Sequence, residues 1–437
     1  SDVCSSDLLT QREYYGLAAF FDNIDESGLY SHFSSAVPTP TVDLPTPAQE
    51  ERLRVLEGQL REAEDALAAL PFDEAGFESW RLQLGQEHGQ LERAATPGLQ
   101  GLYPMDDGDR TSIANLVAGG KNGQIKGPTL WREGRSGTGL GLTGDDALEF
   151  LGAGVFRRWD PLSLGLWIRP AEHHPRAVVL HRSRAWHDSG SRGYQLLLED
   201  GRPSFSLIHF WPGNALRVRA LEPVEVDAWT HLAITYDGSS KAAGVRLFVN
   251  GTEAAVEVVR DALTRTIQGS GEGLMTIGAR FRDNGFRGGT VDDLFVAARE
   301  LAPYEVRALT GDGAAAPTEA ELRALYEARP ADSERTAFRA RVRALRQQLA
   351  EEHDRVREVM AMREMVPRRT TRILNRGLYD QPLEAVEPHT PAVLPPLEAG
   401  EAPDRLALAR WVVDPDHPLD RKSTRLNSSH ANISYAV

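Results

Sequence analysis

Cysteine is nearly absent: the 437-residue chain has one, Cys4. A lone thiol excludes an internal disulfide framework and a cysteine-built metal site. Positive charge is short as well. A formal net charge of −14 argues against non-specific nucleic-acid binding, which needs a basic footprint. No run approaches the roughly 18 apolar residues that a membrane helix requires. No charged segment followed by an apolar one opens the chain, so no signal peptide is visible. Both ends read as foreign: residues 1–8 and 420–437 are polar stretches that match neither neighbour and resemble translated sequencing-adapter sequence. Setting them aside removes Cys4 too.

What is present is a β-rich segment, about 101–310, between two helical ones. In Trp229-Thr-His-Leu-Ala-Ile-Thr-Tyr-Asp-Gly238, Leu232, Ile234 and Tyr236 alternate with His231, Ala233 and Thr235. In Val245-Arg-Leu-Phe-Val-Asn-Gly251 the same period recurs, and Asn250-Gly251 suits a tight hairpin turn. Period two sends one set of side chains into a core and the other outward. Further strands are expected at Leu162–Ile168, Tyr194–Leu198, Phe205–His209, Leu274–Ile277 and Thr290–Val296. Many short strands with turn signals between them predict a mainly β, antiparallel two-sheet jelly-roll sandwich.

Flanking helices are expected over 47–70 and 333–365. The first has a heptad seam, Leu53, Leu56, Leu60, Ala63, Leu67 and Leu70, with Pro47 in its first turn and Pro71 as its stop. The second carries Phe338, Val342, Leu345, Leu349, Val356 and Val359, interrupted by Glu352. Glutamates flank one seam and arginines the other, which predicts antiparallel pairing of the two as a coiled-coil stalk. A second amphipathic piece holds Phe77, Trp80, Leu84 and Leu91. The stalk halves are thus expected at 47–100 and 311–366. The proline-rich stretch from Val37 to Pro47 reads as a linker. The helices near 11–21 and 404–413 have apolar faces without a local partner.

Leu164-Gly-Leu-Trp-Ile-Arg-Pro170, the Trp229–Gly238 run, Leu247-Phe-Val-Asn-Gly251 and Gly288-Gly-Thr-Val-Asp-Asp-Leu294 resemble the LamG-like jelly roll, related in fold to concanavalin A-like lectins and glucanases. The flanks resemble a pair of planctomycete domains. Leu9-Thr-Gln-Arg-Glu-Tyr-Tyr15 with Phe20–Asp25 looks like the end of the cytochrome-associated domain (9–46 with its linker). Arg376-Gly-Leu-Tyr-Asp-Gln-Pro382 and Arg405–Pro415 look like the start of its partner domain of unknown function (367–419). This resemblance implies an extracytoplasmic, multidomain host. It also implies a haem c motif upstream of Leu9, so no haem ligand and no cofactor is expected in this fragment.

Glucanases of this fold use paired carboxylates around the scissile bond, usually as Glu-x-Asp-x-x-Glu. Glu225-Val-Asp227 comes nearest, but Thr230 stands where the third acid should be, so no catalytic residue is expected. Asp292 and Asp293 are candidate calcium ligands by type, set against a carboxylate that merely accepts loop hydrogen bonds. His173, His174, His181, His187, His209 and His231 lack metal-ligand spacing and are expected on the surface or in packing. The glycine clusters at 134–141 and 271–273 bridge no strand to a helix and read as turns. Sugars stack on flat rings, and Trp186 and Trp211 lie in or beside predicted loops, with Arg182, Arg184, Arg192 and Asn214 near in sequence. These six form the expected binding rim for a glycan or protein ligand, whereas Trp167 and Trp229 are expected to pack. The leading expectation is a non-catalytic binding module, with a structural spacer between redox-linked domains as the alternative and a carbohydrate-active enzyme third.

Overall fold

Threonine and proline decide where the first long helix begins. The Thr46 side chain accepts a hydrogen bond from the Gln49 amide, the Gln49 side chain answers to Thr46, and Pro47 occupies the first turn of Pro47–Ala68. The computed structural model describes residues 9–86, 96–106, 111–269, 273–311, 316–329, 333–397 and 403–418; the adapter-like ends and Leu91 lie outside them. The chain divides into two units, residues 26–361 and residues 1–25 with 362–437.

The larger unit is a sandwich of antiparallel sheets. One sheet has nine strands, in spatial order 256–261, 214–220, 202–210, 193–199, 176–182, 275–278, 147–150, 123–126 and 112–113. The other has eight, ordered 252–253, 245–249, 230–236, 162–169, 290–297, 138–141 and 130–133, with 99–103 pairing beside 290–297. Between them lies one large apolar core that includes Leu164, Leu166, Leu196, Phe205, Leu216, Leu232, Ile234 and Tyr236. The opening hairpin forms as its pattern predicts, with Ile234 opposite Leu247 and Tyr236 opposite Val245. Asn250 and Gly251 both take positive φ, 49° and 74°, at the turn into Thr252.

One expectation fails here. The outward set of these strands does not face water: Ala233, Phe248 and Phe295 pack under Leu301, Val306 and Leu309 of the segment around helix Pro303–Ala308. His231 is fully buried, stacked over Phe295 and edge-on to Trp167, whose indole donates to the Thr310 carbonyl at 3.0 Å.

Helix Pro47–Ala68 packs on helix Ser333–Arg355 through Leu56, Ala63, Val342 and Leu345, with Leu60, Leu67 and Leu349 half-buried beside them. Gln49 reaches the Arg355 carbonyl and Arg335 the Leu70 carbonyl, each at 3.3 Å, so the helices run in opposite directions. Glu352, which interrupts the seam, is buried against Arg52 at 3.2 Å. The second helix ends at Arg355, short of the predicted 365. Arg357–Met360 is instead a strand, paired antiparallel with Thr41–Leu44. Arg265 holds this ribbon in place: it reaches Asp43, the Val356 carbonyl at 2.8 Å and Glu358 at 3.2 Å. The segment leading into the first long helix and the one leaving the second therefore run side by side in one two-stranded ribbon.

The smaller unit joins both flanks. Helix Gln11–Ala18, capped by Thr10 and Glu13, meets chain from far downstream: Gln11 donates to the Leu374 carbonyl at 2.9 Å and the Ala392 amide donates to Glu13 at 2.9 Å. The His389 amide donates to the Gly16 carbonyl at 3.3 Å. The two flanks fall within one compact unit.

Candidate functional site

The strands 193–199, 202–210 and 214–220 send alternate side chains to opposite faces of the nine-stranded sheet. Tyr194, Leu196, Leu198, Phe205, Leu207, Leu216 and Val218 enter the core. The opposite face is polar yet buried. Gln195, Ser206 and Arg217 are in register across three strands. The Arg217 guanidinium donates to Ser206 Oγ and to Glu199 Oε1, both at 2.8 Å. Arg280 donates to Gln195 Oε1 at 2.7 Å and to Ser191 Oγ at 3.2 Å, and it pairs with Asp283. Arg176 engages Asp283 through two nitrogens, at 2.9 and 3.0 Å. Burial pulls Arg217 and Arg280 down to about 10, so both remain cationic at neutral pH. Burial alone would raise Asp283, but hydrogen bonds and charge from Arg176 and Arg280 hold it at about 2.

Two tryptophans cap this network. Arg217 lies 3.7 Å from the Trp211 ring centroid, and Arg176 lies 4.2 Å from that of Trp186. Such contacts are each worth about 0.5–2 kcal/mol, more as water is excluded. Both tryptophans pack with Leu29, Ala36 and Phe210. Leu29 and Ala36 come from residues 26–40, assigned on sequence to the preceding domain and linker. In the structure this irregular segment lies on the sandwich. The Tyr30 amide donates to the His187 carbonyl at 2.8 Å, the Phe33 amide to Asp188 at 2.7 Å, and the Gly213 amide to Thr39 Oγ1 at 3.0 Å.

At the edge of the cap, aromatic rings gather. Tyr30 is 57% exposed and Phe281 54% exposed. Phe33 meets Phe281 edge-on at 6.1 Å. The Arg184 guanidinium lies 4.1 Å over Phe33, and that of Arg282 lies 5.3 Å from Phe281 while bonded to Asp188 at 3.1 Å. Ala185 and Phe281 form an isolated bridge that brings the Trp186 loop to this rim.

The six expected rim residues therefore separate. Trp186 and Arg184 are at the aromatic rim, and Trp211 caps the arginines beside the same apolar cluster. Arg182 and Arg192 are buried. Asn214 is committed internally: its Nδ2 donates to Thr264 Oγ1 at 2.8 Å, and its Oδ1 accepts from the Thr264 and Arg265 amides. Tyr30, Phe33, Phe281, Arg176, Arg217 and Arg280 were missed. No local signal marked the last group: Arg217 alternates with core residues as any outward strand residue does, and Arg280 lies outside the strands.

Asp292 is fully buried. Its Oδ2 accepts the Arg135 and Ser136 amides at 2.7 and 3.2 Å, and burial raises the carboxyl to about 7. Asp293 sits at φ 52° in a bulge of the strand register. Calcium takes six to eight oxygens. Asp292 Oδ2 receives two amide protons while Oδ1 has no hydrogen-bond partner, and among the described residues no three His, Cys, Asp or Glu side chains gather. Glu225 and Asp227 lie on an exposed turn rather than a strand, and Asp227 pairs with Arg169 at 2.7 Å. His174, His181, His209 and His231 are buried; burial drives His181 down to about 3, leaving it neutral. No helix among the described residues is long and apolar enough to cross a membrane.

Residues 142–307 match the model of the concanavalin A-like lectin/glucanases superfamily. No curated protein matches the chain. Among solved structures, Domain 4 of AbnA, a GH43 extracellular arabinanase from Geobacillus stearothermophilus, in complex with arabinotriose, is 19% identical, with 48% of this chain and 97% of that one covered and a TM-score of 0.35. The binding domain of Paraclostridial Mosquitocidal Protein 1 is 14% identical, over 48% of this chain and 51% of that one, at TM-score 0.38. The Botulinum neurotoxin serotype G binding domain is 12% identical, over 48% and 50%, at TM-score 0.37. The chain spans about half the length of these two toxin domains.

Proposed function

From the concanavalin A-like lectin/glucanase domain at residues 142–307, we propose that the larger unit is a non-catalytic carbohydrate-binding module. The observation that carries this reading is the rim of Tyr30, Phe33, Trp186 and Phe281 with Arg184 and Arg282. Flat rings accept the C–H faces of sugars, and the guanidinium groups supply donors to their hydroxyls. The pairing of Thr41–Leu44 with Arg357–Met360 and the packing of the two long helices support a knob borne on an antiparallel coiled-coil stalk; its insertion into an extracytoplasmic host of planctomycete type rests on the resemblance of the flanks alone.

A neutral-glycan array probed with the intact chain tests it. At least one polysaccharide class should bind, and Phe281→Ala should weaken it at least about tenfold, as truncation of an aromatic anchor does, at unchanged Tm. Absence of glycan binding, or binding that ignores Phe281, overturns it. A uniformly negative array would favour a structural spacer.

A further inference from the structure

The two-stranded ribbon beside the helix pair carries a charge imbalance. Asp43 and Glu358 stand directly opposite each other in its register, so their side chains share one face. Like charges placed in this way oppose strand pairing. One guanidinium serves both: Arg265 bonds to Asp43 and lies 3.2 Å from Glu358. A two-stranded ribbon is at best marginal by itself, so this one depends on what the sandwich presents to that face.

A second cation is within reach. His209, near the end of strand 202–210, has a side chain only 6% exposed. Its Nδ1 lies 2.7 Å from the Thr266 carbonyl oxygen. A carbonyl can only accept, so Nδ1 carries the proton in the neutral ring and Nε2 holds a lone pair. Nε2 lies 3.7 Å from Glu358 Oε1 and has no hydrogen-bond partner. Two acceptors thus face each other away from water. A proton added at Nε2 converts the contact into a charge-assisted hydrogen bond, the stronger kind. It also balances two carboxylates, Asp43 and Glu358, with two cations, Arg265 and His209.

The surrounding groups favour this role. Burial alone would raise Glu358, but bonds from His209 and Thr41 and the charge of Arg265 hold it below the ordinary carboxylate range, so it stays anionic while a histidine titrates. The end of helix Ser333–Arg355 contributes Asp354, which accepts the Thr266 amide at 2.8 Å. It also contributes His353, which burial and the charge of Arg158 lower, leaving it neutral at pH 7. Arg158 is itself buried and lies within the field of Asp354.

We propose that His209 and Glu358 form a proton-operated latch, which fastens the ribbon, and with it the base of the helix pair, to the sandwich as pH falls and releases it as pH rises. The direction follows from linkage: the latched state binds the proton more tightly than the open one, so latching is favoured where the proton is present.

Hydrogen exchange on the full chain, at pH 5.5 and 8.0 and corrected for intrinsic rates, tests the latch. Peptides spanning 41–44 and 357–360 should be protected at least tenfold more at pH 5.5. Glu358→Gln keeps the shape and removes the anion, and His209→Gln removes the titrating ring; either should bring the ratio of the two protections to within about twofold of one. His353→Gln should leave the tenfold ratio intact. If His209→Gln fails to fold, Glu358→Gln decides alone. Equal protection at the two pH values in the unmodified chain, a ratio that survives Glu358→Gln, or one that disappears in His353→Gln would each overturn the proposal.

Discussion

Replacing Leu56 with alanine asks whether apolar burial or ion pairing holds the two long helices together. Leu56 is 5% exposed and packs with Ala63, Val342 and Leu345. Leu→Ala in a core costs about 2–5 kcal/mol, depending on how far the site relaxes. Leu60, Leu67 and Leu349 beside it are only partly buried, so the neighbours can close in, and the lower end, about 2 kcal/mol, is expected. One competing contribution, beside Arg52 with Glu352, is the pair of Arg346 with Glu64 at 2.9 Å, whose side chains are 18% and 40% exposed. Solvent screens such a pair to on the order of 0–1 kcal/mol. Urea unfolding followed by helical circular dichroism should therefore rank Leu56→Ala as at least twice as costly as Glu64→Ala. A Glu64/Arg346 double-mutant cycle should return a coupling below about 1 kcal/mol. A larger cost for Glu64→Ala, or a coupling above the cost of Leu56→Ala, would refute apolar burial as the main force joining the helices.

Two other perturbations test local chemistry. Asp292 is displaced from 3.8 to about 7, so the folded protein retains its proton where the unfolded chain loses it; the associated stability is present below 3.8 and lost as pH rises through about 7. Denaturant titrations from pH 4 to 8 should show the stability advantage of the parent over Asp292→Asn shrinking with pH, by an amount bounded near 4 kcal/mol at about 1.4 kcal/mol per unit; a pH-independent difference contradicts the burial argument. Glycine substitutions should go in opposite directions. At Gly134 a Cβ would lie 2.4 Å from the Thr138 carbonyl oxygen and 2.7 Å from Asp292 Oδ2, and Gly134→Ala should cost about 1–3 kcal/mol by thermal melt. Gly58, inside helix Pro47–Ala68, has open space around it, and its alanine variant should gain about 0.5–1 kcal/mol.

The sandwich was legible because strand alternation is a local signal with a global meaning. Leu232, Ile234 and Tyr236 had to share a face, and the structure seats all three in the core. The heptads of 47–68 and 333–355 were legible for the same reason. Sequence reasoning failed where a face that alternation assigns outward is covered by something distant. Ala233, Phe248 and Phe295 stand on that outward face, and apolar residues on both sides of a strand are themselves a sign of cover on both sides. Val356 and Val359 continued the heptad in spacing, yet Arg265 and the partner strand Thr41–Leu44 claim their segment. Periodicity reports which residues face one way; it does not report which partner arrives.

The candidate site shows the same limit more sharply. Trp186 and Trp211 could be picked out because large rings in or near loops are unusual, but the arginines under them could not be told from solvent-facing residues. Arg217 alternates with Leu216 and Val218 as any outward residue of a half-exposed strand does. It is nonetheless 4% exposed, with the Trp211 ring over its guanidinium. Residues 26–40 have no period, because an irregular segment docks by the shape and hydrogen-bonding groups of what lies beneath it rather than by its own repeat. Residues 26–40 make apolar contacts through Leu29 and Ala36 with Trp186, Trp211 and Phe210 and through Phe33 with Phe281, and their hydrogen bonds end at the backbone of the His187–Asp188 and Gly213 loops.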